Sequence, residues 1–161
     1  MHPNHALLTQ FYEAFQRRDG AAMAACYAAD ATFDDPVFPG LSGDEPGSMW
    51  GMLCEQGKDL RIEFSDVEAD DTAGSARWQA WYTFSVTGRA VHNVISARFT
   101  FRDGKIATHR DDFDLTRWTQ MALGPVGWAL GWSPLIQAPL RKKAKAGLRS
   151  WMRKRAGGAQ R

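Results

Sequence analysis

Two stretches of this sequence hold side chains able to move protons. The first is Ala28-Ala29-Asp30-Ala31-Thr32-Phe33-Asp34-Asp35-Pro36, where adjacent carboxylates are halted by a proline. In an extended run Phe33 and Asp35 share one face and Thr32 and Asp34 the other, so a Phe33 turned to the interior takes Asp35 with it. Pro36 removes a backbone donor and biases Asp35 toward extended geometry, which suits the end of an edge strand opening onto a loop. Asp34 reads as a surface or turn group, and Asp30 as a turn residue after a helix. The second stretch is Ala107-Thr108-His109-Arg110-Asp111-Asp112-Phe113-Asp114. Alternation sets Ala107, His109, Asp111 and Phe113 on one face of a strand. An unperturbed histidine titrates at about 6.5 and a nearby carboxylate raises that value, so His109 beside Asp111 suits a general acid or base. The plainer alternative is a charged strand end in which these acids pair with Arg98 or Arg102.

Helices and a sheet must position these groups. Leu7, Leu8, Phe11, Tyr12 and Phe15 recur at three and four, which predicts an amphipathic helix over residues 4–18. Asp19-Gly20 breaks it, and residues 21–27 predict a second short helix. The strand with Asp35 follows, then a Gly-, Pro- and Ser-rich loop and a third helix over 48–57, whose apolar positions are Met49, Trp50, Met52 and Leu53. From Leu60 the period falls to two, with a slip before Val67 that reads as a bulge. Trp78, Ala80, Tyr82, Phe84 and Val86 alternate over 76–87, and Val91, Asn93, Ile95, Ala97, Phe99 and Phe101 share a face over 91–101. Asp103-Gly104 is a hairpin signal leading to a last strand over 105–114. Three helices followed by an antiparallel meander predict an α+β domain with helices on one face of a curved sheet. Beyond it lie a helix over 115–123, an apolar stretch with Trp128, Leu130, Trp132, Leu135 and Ile136, and a basic helix over 140–155.

At 161 residues and 44% apolar composition the chain predicts one domain able to bury a core and a ligand pocket. No apolar run of spanning length and no basic-then-apolar leader is present, so a cytoplasmic location is expected. Cys26 and Cys54 read as small hydrophobes. His2, His5, His92 and His109 form no local ligand cluster, and the sequence has no phosphate loop, dinucleotide fingerprint or nucleophile elbow. A site without metal or cofactor is the expectation. Of the 20 Lys and Arg, nine fall in residues 141–161, which contain no acid, while all 18 Asp and Glu precede them. Such a basic end suits a second subunit, self-packing or an anionic membrane surface, and less well a nucleic acid.

The helix pair, Ala29-Asp30-Ala31-Thr32, the acid before proline, the Gly loop, the third helix and the long sheet together resemble the NTF2-like superfamily. That superfamily includes ketosteroid isomerases, SnoaL-type polyketide cyclases, scytalone dehydratase and limonene epoxide hydrolase. The likeness covers about residues 4–120 and implies an α+β cone over 1–120, with 121–161 an extension and not an independent domain. Against the ketosteroid isomerase pattern, Asp35 matches the proton-shuttling aspartate. The oxyanion-binding tyrosine falls at Phe11, with Tyr12 about a hundred degrees round the helix, and the protonated aspartate falls near Ala97. Loss of one such donor typically costs about a hundredfold to a thousandfold, so steroid isomerisation by that mechanism is not expected. The resemblance turns His109 and Asp111 toward the cone's cavity with Asp35, as in the cyclases and the dehydratase. It implies Asp35 as general base or acid, His109 as its partner, and Asp111 tuning the histidine. Phe11, Tyr12, Trp50, Trp78, Tyr82, Asn93, Phe99 and Phe113 are the expected pocket wall. The implied activity is isomerisation, cyclisation or dehydration of an apolar carbonyl or hydroxylated molecule. The rival is a non-catalytic small-molecule or lipid binder of the same fold. A homodimer through the outer sheet face, at Trp81, Val94 and Arg98, is also implied.

Overall fold

Leu8, Phe11, Tyr12 and Phe15 lie along the buried side of helix α1 (Pro3–Gln16), as their spacing requires. The computed structural model describes residues 1–159. Helices α2 (Gly20–Ala24) and α3 (Glu45–Gln56) complete the N-terminal layer, and α4 (Leu115–Leu123), α5 (Pro125–Leu130) and α6 (Pro134–Ala159) follow the sheet. The strands are β1 (Tyr27–Asp34), β2 (Leu41–Ser42), β3 (Arg61–Ala69), β4 (Ala73–Phe84), β5 (Arg89–Arg102) and β6 (Lys105–Asp112). They form one six-stranded sheet in the order β2-β1-β6-β5-β4-β3. From β3 to β6 the strands are an antiparallel meander, and β1 joins β6 in parallel. This is the expected α+β cone.

Local chemistry sets the corners. Asp103 and Gly104 both take positive φ, 52° and 73°, the conformation a two-residue hairpin turn needs. The slip before Val67 is a break in the β3–β4 register between Ser65 and Glu68, with Asp66 at φ 54°. Asp19 caps α2 by accepting from the Ala22 amide at 3.0 Å.

Several sequence expectations shift. Asp30 is not a turn residue but lies inside β1, paired with Arg102. The second helix stops at Ala24, and Tyr27 opens the strand instead. β1 is not an edge strand, because Gly40 and Gly43, at φ 69° and 67°, bring the chain back to pair Leu41 with Phe33. Val86 leaves the sheet and stands exposed in a turn. A register break between Thr100 and Phe101 puts Ile106, rather than Ala107, in the core. Asp114 ends no strand; it caps α4 by accepting from the Arg117 amide at 3.1 Å. The basic helix begins at Pro134, before the expected start, because the apolar stretch ahead of it is itself helical.

The main core fills the space between α1, α3 and the inner sheet face, and a second cluster of Val91, Leu115, Trp118 and Ala122 lies under α4. Val37, Tyr82 and Phe113 touch both. The C-terminal helix is integral to the body. Its Leu148 is fully buried, and Ala144, Trp151 and Met152 pack on the main core beside it. Trp151 also donates from its indole to Glu55 Oε2 at 2.5 Å.

Candidate functional site

Strand register assembles the site. Phe33 of β1 and Phe99 of β5 flank His109 of β6, and Ala97 faces Asp111 two pairs further along. All of these side chains point to the inner face and are buried. The last pair of the parallel ladder is Asp34 with Arg110, so Asp35 emerges one step beyond it, at the level of Asp111. His109 and Asp111 share the buried face of β6, whereas Asp35 lies half-buried just outside β1.

His109 is held from both ends. Its Nε2 lies 2.9 Å from Asp111 Oδ1 and its Nδ1 lies 2.7 Å from the Tyr27 hydroxyl. The Tyr27 oxygen in turn accepts from the Trp50 indole at 2.7 Å. The chain of bonds closes when Nε2 carries the proton and donates to Asp111, while Nδ1 accepts from Tyr27. Around the imidazole stand Phe99 at 4.2 Å, Phe33 at 4.9 Å, Phe11 at 5.7 Å and a parallel Trp50 at 5.9 Å between ring centroids. His109 is therefore enclosed by protein, with both ring nitrogens taken, by Tyr27 and by Asp111.

Asp111 and Tyr12 carry the loose ends. Asp111 Oδ1 takes His109 and, at 3.4 Å, the Trp78 indole, while Oδ2 is buried with no partner among the described residues. The Tyr12 hydroxyl is likewise buried and unpartnered. Burial first, and the Asp111 charge second, push the Tyr12 phenol well above its ordinary range, so it stays protonated.

Asp35 occupies the first loop position after β1. Its Oδ1 accepts from the amides of Val37 at 2.7 Å and Phe38 at 2.5 Å, an arrangement that Pro36 leaves open by having no amide to offer. Oδ2 has no protein donor among the described residues. Burial pushes its carboxyl up to about 7, opposed by the Phe38 amide and assisted by the charge of Asp111. A carboxyl with that affinity both accepts and releases protons near neutrality.

The other expected residues divide by depth. Phe11, Tyr12, Trp50, Trp78 and Phe99 are buried in the main core. Tyr82, Asn93 and Phe113 are half-buried, and Tyr82 and Phe113 touch both clusters. The Tyr82 oxygen accepts from the Trp118 indole at 2.7 Å, which leaves its own proton to donate. Its phenol is raised by burial first, lowered by that indole and raised further by the charge of Asp35. Sequence reasoning missed Tyr27, which it placed on a helix, and Trp118 and Arg141, whose partners lie far away in the chain. Arg141 Nε donates to the Pro36 carbonyl at 2.7 Å, so α6 braces the loop that carries Asp35. Two surface hollows, of about 520 and 640 Å³, lie at Arg89–Trp128 and at Glu68–Thr100, and neither is lined by Asp35, His109 or Asp111. They are open grooves.

Comparison with solved structures gives the same fold. An NTF2-like protein of unknown function from Burkholderia pseudomallei superposes with a TM-score of 0.65 at 19% identity, covering 75% of this chain and 98% of its own. A proposed polyketide cyclase from Xanthomonas campestris gives 0.62 at 24% identity over 74% of this chain and 96% of its own. A LEH-like epoxide hydrolase from Mycobacterium tuberculosis gives 0.60 at 20% identity over 79% and 95%. No curated protein sequence matches the chain. The family model for the SnoaL-like domain matches residues 8–109, more than half of the sequence, and the chain belongs to that family.

Proposed function

We propose that this protein is a cofactor-independent proton-transfer enzyme of the isomerase, cyclase or dehydratase type, acting on an apolar carbonyl or hydroxylated small molecule. The observation that carries the reading is Asp35. Its Oδ1 is fixed by two amides, its Oδ2 is unclaimed, and its carboxyl sits at about 7. In the ionised form Oδ2 takes a proton from the carbon beside a substrate carbonyl, and the carboxylic acid so formed returns it to another position or to a leaving hydroxyl. Negative charge then gathers on the carbonyl oxygen and needs a donor. Phe11 and Ala97 offer none, and Tyr82 takes that part. Because its oxygen accepts from Trp118, its own O–H is polarised toward donation. Asp111 raises the proton affinity of Asp35, and His109, bonded at both nitrogens, holds Asp111 in place. This moves His109 from partner in transfer to positioning residue. The fold relatives include a proposed polyketide cyclase and an epoxide hydrolase, a range that fits processing of small organic molecules.

Deuterium uptake tests the reading without knowledge of the product. Apolar ketones incubated with the protein in heavy water, followed by mass spectrometry, should gain deuterium beside the carbonyl, and Asp35→Asn should reduce the rate about a hundredfold to ten-thousandfold. Equal uptake by both proteins, or none by either across a broad ketone panel, removes it.

A further inference from the structure

The exposed apolar side chains of the C-terminal segment have no part in the chemistry at Asp35. Trp128, Trp132 and Leu135 are 68%, 66% and 75% exposed, and Val126 and Leu130 are exposed beside them. The backbone holds them outward. A Cβ on Gly127 would stand 1.9 Å from the Thr119 carbonyl oxygen, and one on Gly131 would stand 1.9 Å from Thr119 Oγ1. Only glycine lets α5 and the turn after it lie this closely on α4, and with the glycines turned inward Trp128 and Trp132 point away from the body. The element is thus closely packed on α4 with an exposed apolar side.

Helix α6 carries that surface on as a cationic one. Leu135, Lys142, Arg149 and Arg153 recur at seven, seven and four, which sets them on one side of the helix, and all four are exposed. The opposite side holds Ala144, Leu148 and Met152 against the core. Lys143 and Lys154 are exposed as well. Among the described residues none of these cations pairs with an acid. Residues 141–161 contain no acid at all. Tryptophans at the level of lipid headgroups, continuing into a row of lysine and arginine, are the chemistry that holds a protein on an anionic bilayer. No helix among the described residues is long and apolar enough to cross one.

We infer that α5, the turn after it and the outer side of α6 form a docking surface for an anionic lipid membrane, with Trp128, Trp132 and Leu135 entering the headgroup layer and Lys142, Arg149 and Arg153 meeting its charge. This surface is independent of the proton-transfer reading, since Asp35 takes no part in it.

The test is flotation of the full chain with vesicles of phosphatidylcholine alone and with vesicles in which about a third of the lipid is phosphatidylglycerol. Binding should be about tenfold or more greater on the anionic vesicles and should weaken as salt rises. Combining W128S, W132S and L135S should lower it about tenfold, as should combining K142E, R149E and R153E. Circular dichroism verifies the fold of both variants, and W128F with W132F should retain most binding. Three results overturn the proposal: no flotation with either vesicle, flotation unchanged in both triple variants, or loss of a dimer in sedimentation on serine substitution without any vesicle binding by the parent. The last identifies a second copy of the chain as the occupant. Retention of a duplex DNA in place of vesicles overturns it too, and assigns the cations to phosphate backbone.

Discussion

Asp35 follows the last pair of the β1–β6 ladder, Asp34 with Arg110, which sets it level with Asp111 along the sheet. Burial makes ionisation of Asp35 costly, and the charge of Asp111 adds to that cost. The carboxyl of Asp35 rises from 3.8 to about 7 in consequence, chiefly through burial and in part through Asp111. Between those two values the folded chain binds a proton that the unfolded chain has released. The contribution of Asp35 to stability is therefore fully present below about pH 4 and is lost as pH rises through 7. Asp35→Asn keeps the oxygen that accepts from Val37 and Phe38 and cannot ionise. Its stability relative to the parent should improve by about 1–3 kcal/mol between pH 4 and pH 8, read from urea midpoints across that range.

Asp111→Asn separates the two causes of that shift. Removing the charge while leaving an oxygen for His109 should move the titration of Asp35 downward, toward the ordinary carboxylate range. Carbon-detected NMR of labelled aspartate carboxyls reads this directly. An unmoved Asp35 titration would assign the whole effect to burial.

Tyr82→Phe removes the proposed donor to the substrate oxygen. Deuterium uptake should fall about a hundredfold, while the variant's affinity for an apolar hydrocarbon of the same shape should match the parent's. Trp118→Phe, which removes only the bond polarising Tyr82, should have a smaller effect on uptake in the same direction.

Tyr27→Phe leaves the Trp50 indole and His109 Nδ1 buried with no partner. The cost should be about 1–3 kcal/mol, seen as a lower urea midpoint with an unchanged slope. The same change should also loosen the hold of His109 on Asp111.

Leu148→Ala tests whether the C-terminal helix belongs to the fold. Leu148 is fully buried, and its truncation should cost about 2–5 kcal/mol. Arg149→Ala, next to it on the exposed side, should fall within about 0.5 kcal/mol of the parent.

Much of this arrangement was legible in residue order because strand parity is a strict rule. Alternation set His109 and Asp111 on one face of their strand, the resemblance turned that face inward, and both are buried. The α1 stripe and the Asp103-Gly104 turn were equally plain. What escaped reading depends on partners distant in the chain. Tyr27 reads as a helical packing residue until β6 is laid beside it, and a register break between Tyr27 and Thr32 hides its parity. Ile106 replaces Ala107 in the core for the same reason, since a bulge reverses the alternation beyond it. Residues 126–140 look irregular because their glycines and prolines signal breaks, whereas two of those glycines are contact points against Thr119. Tyr82 was readable as a polar group on an inner face, but its pairing with Trp118 lies 36 positions away.

The bond from Arg141 to the Pro36 carbonyl joins groups 105 positions apart in the chain. A contact of that separation needs both β1 and α6 in place, so it follows the local turns and the strand pairs that bring its ends together. The turn that fixes Asp35 is therefore local in sequence but completed by one of the longest-range contacts in the molecule. On refolding, the sheet and its aromatic interior should gain their native signals before the turn at Asp35 becomes rigid. The order in which this chain matures thus runs from scaffold to chemistry, with α6 closing the sequence of events.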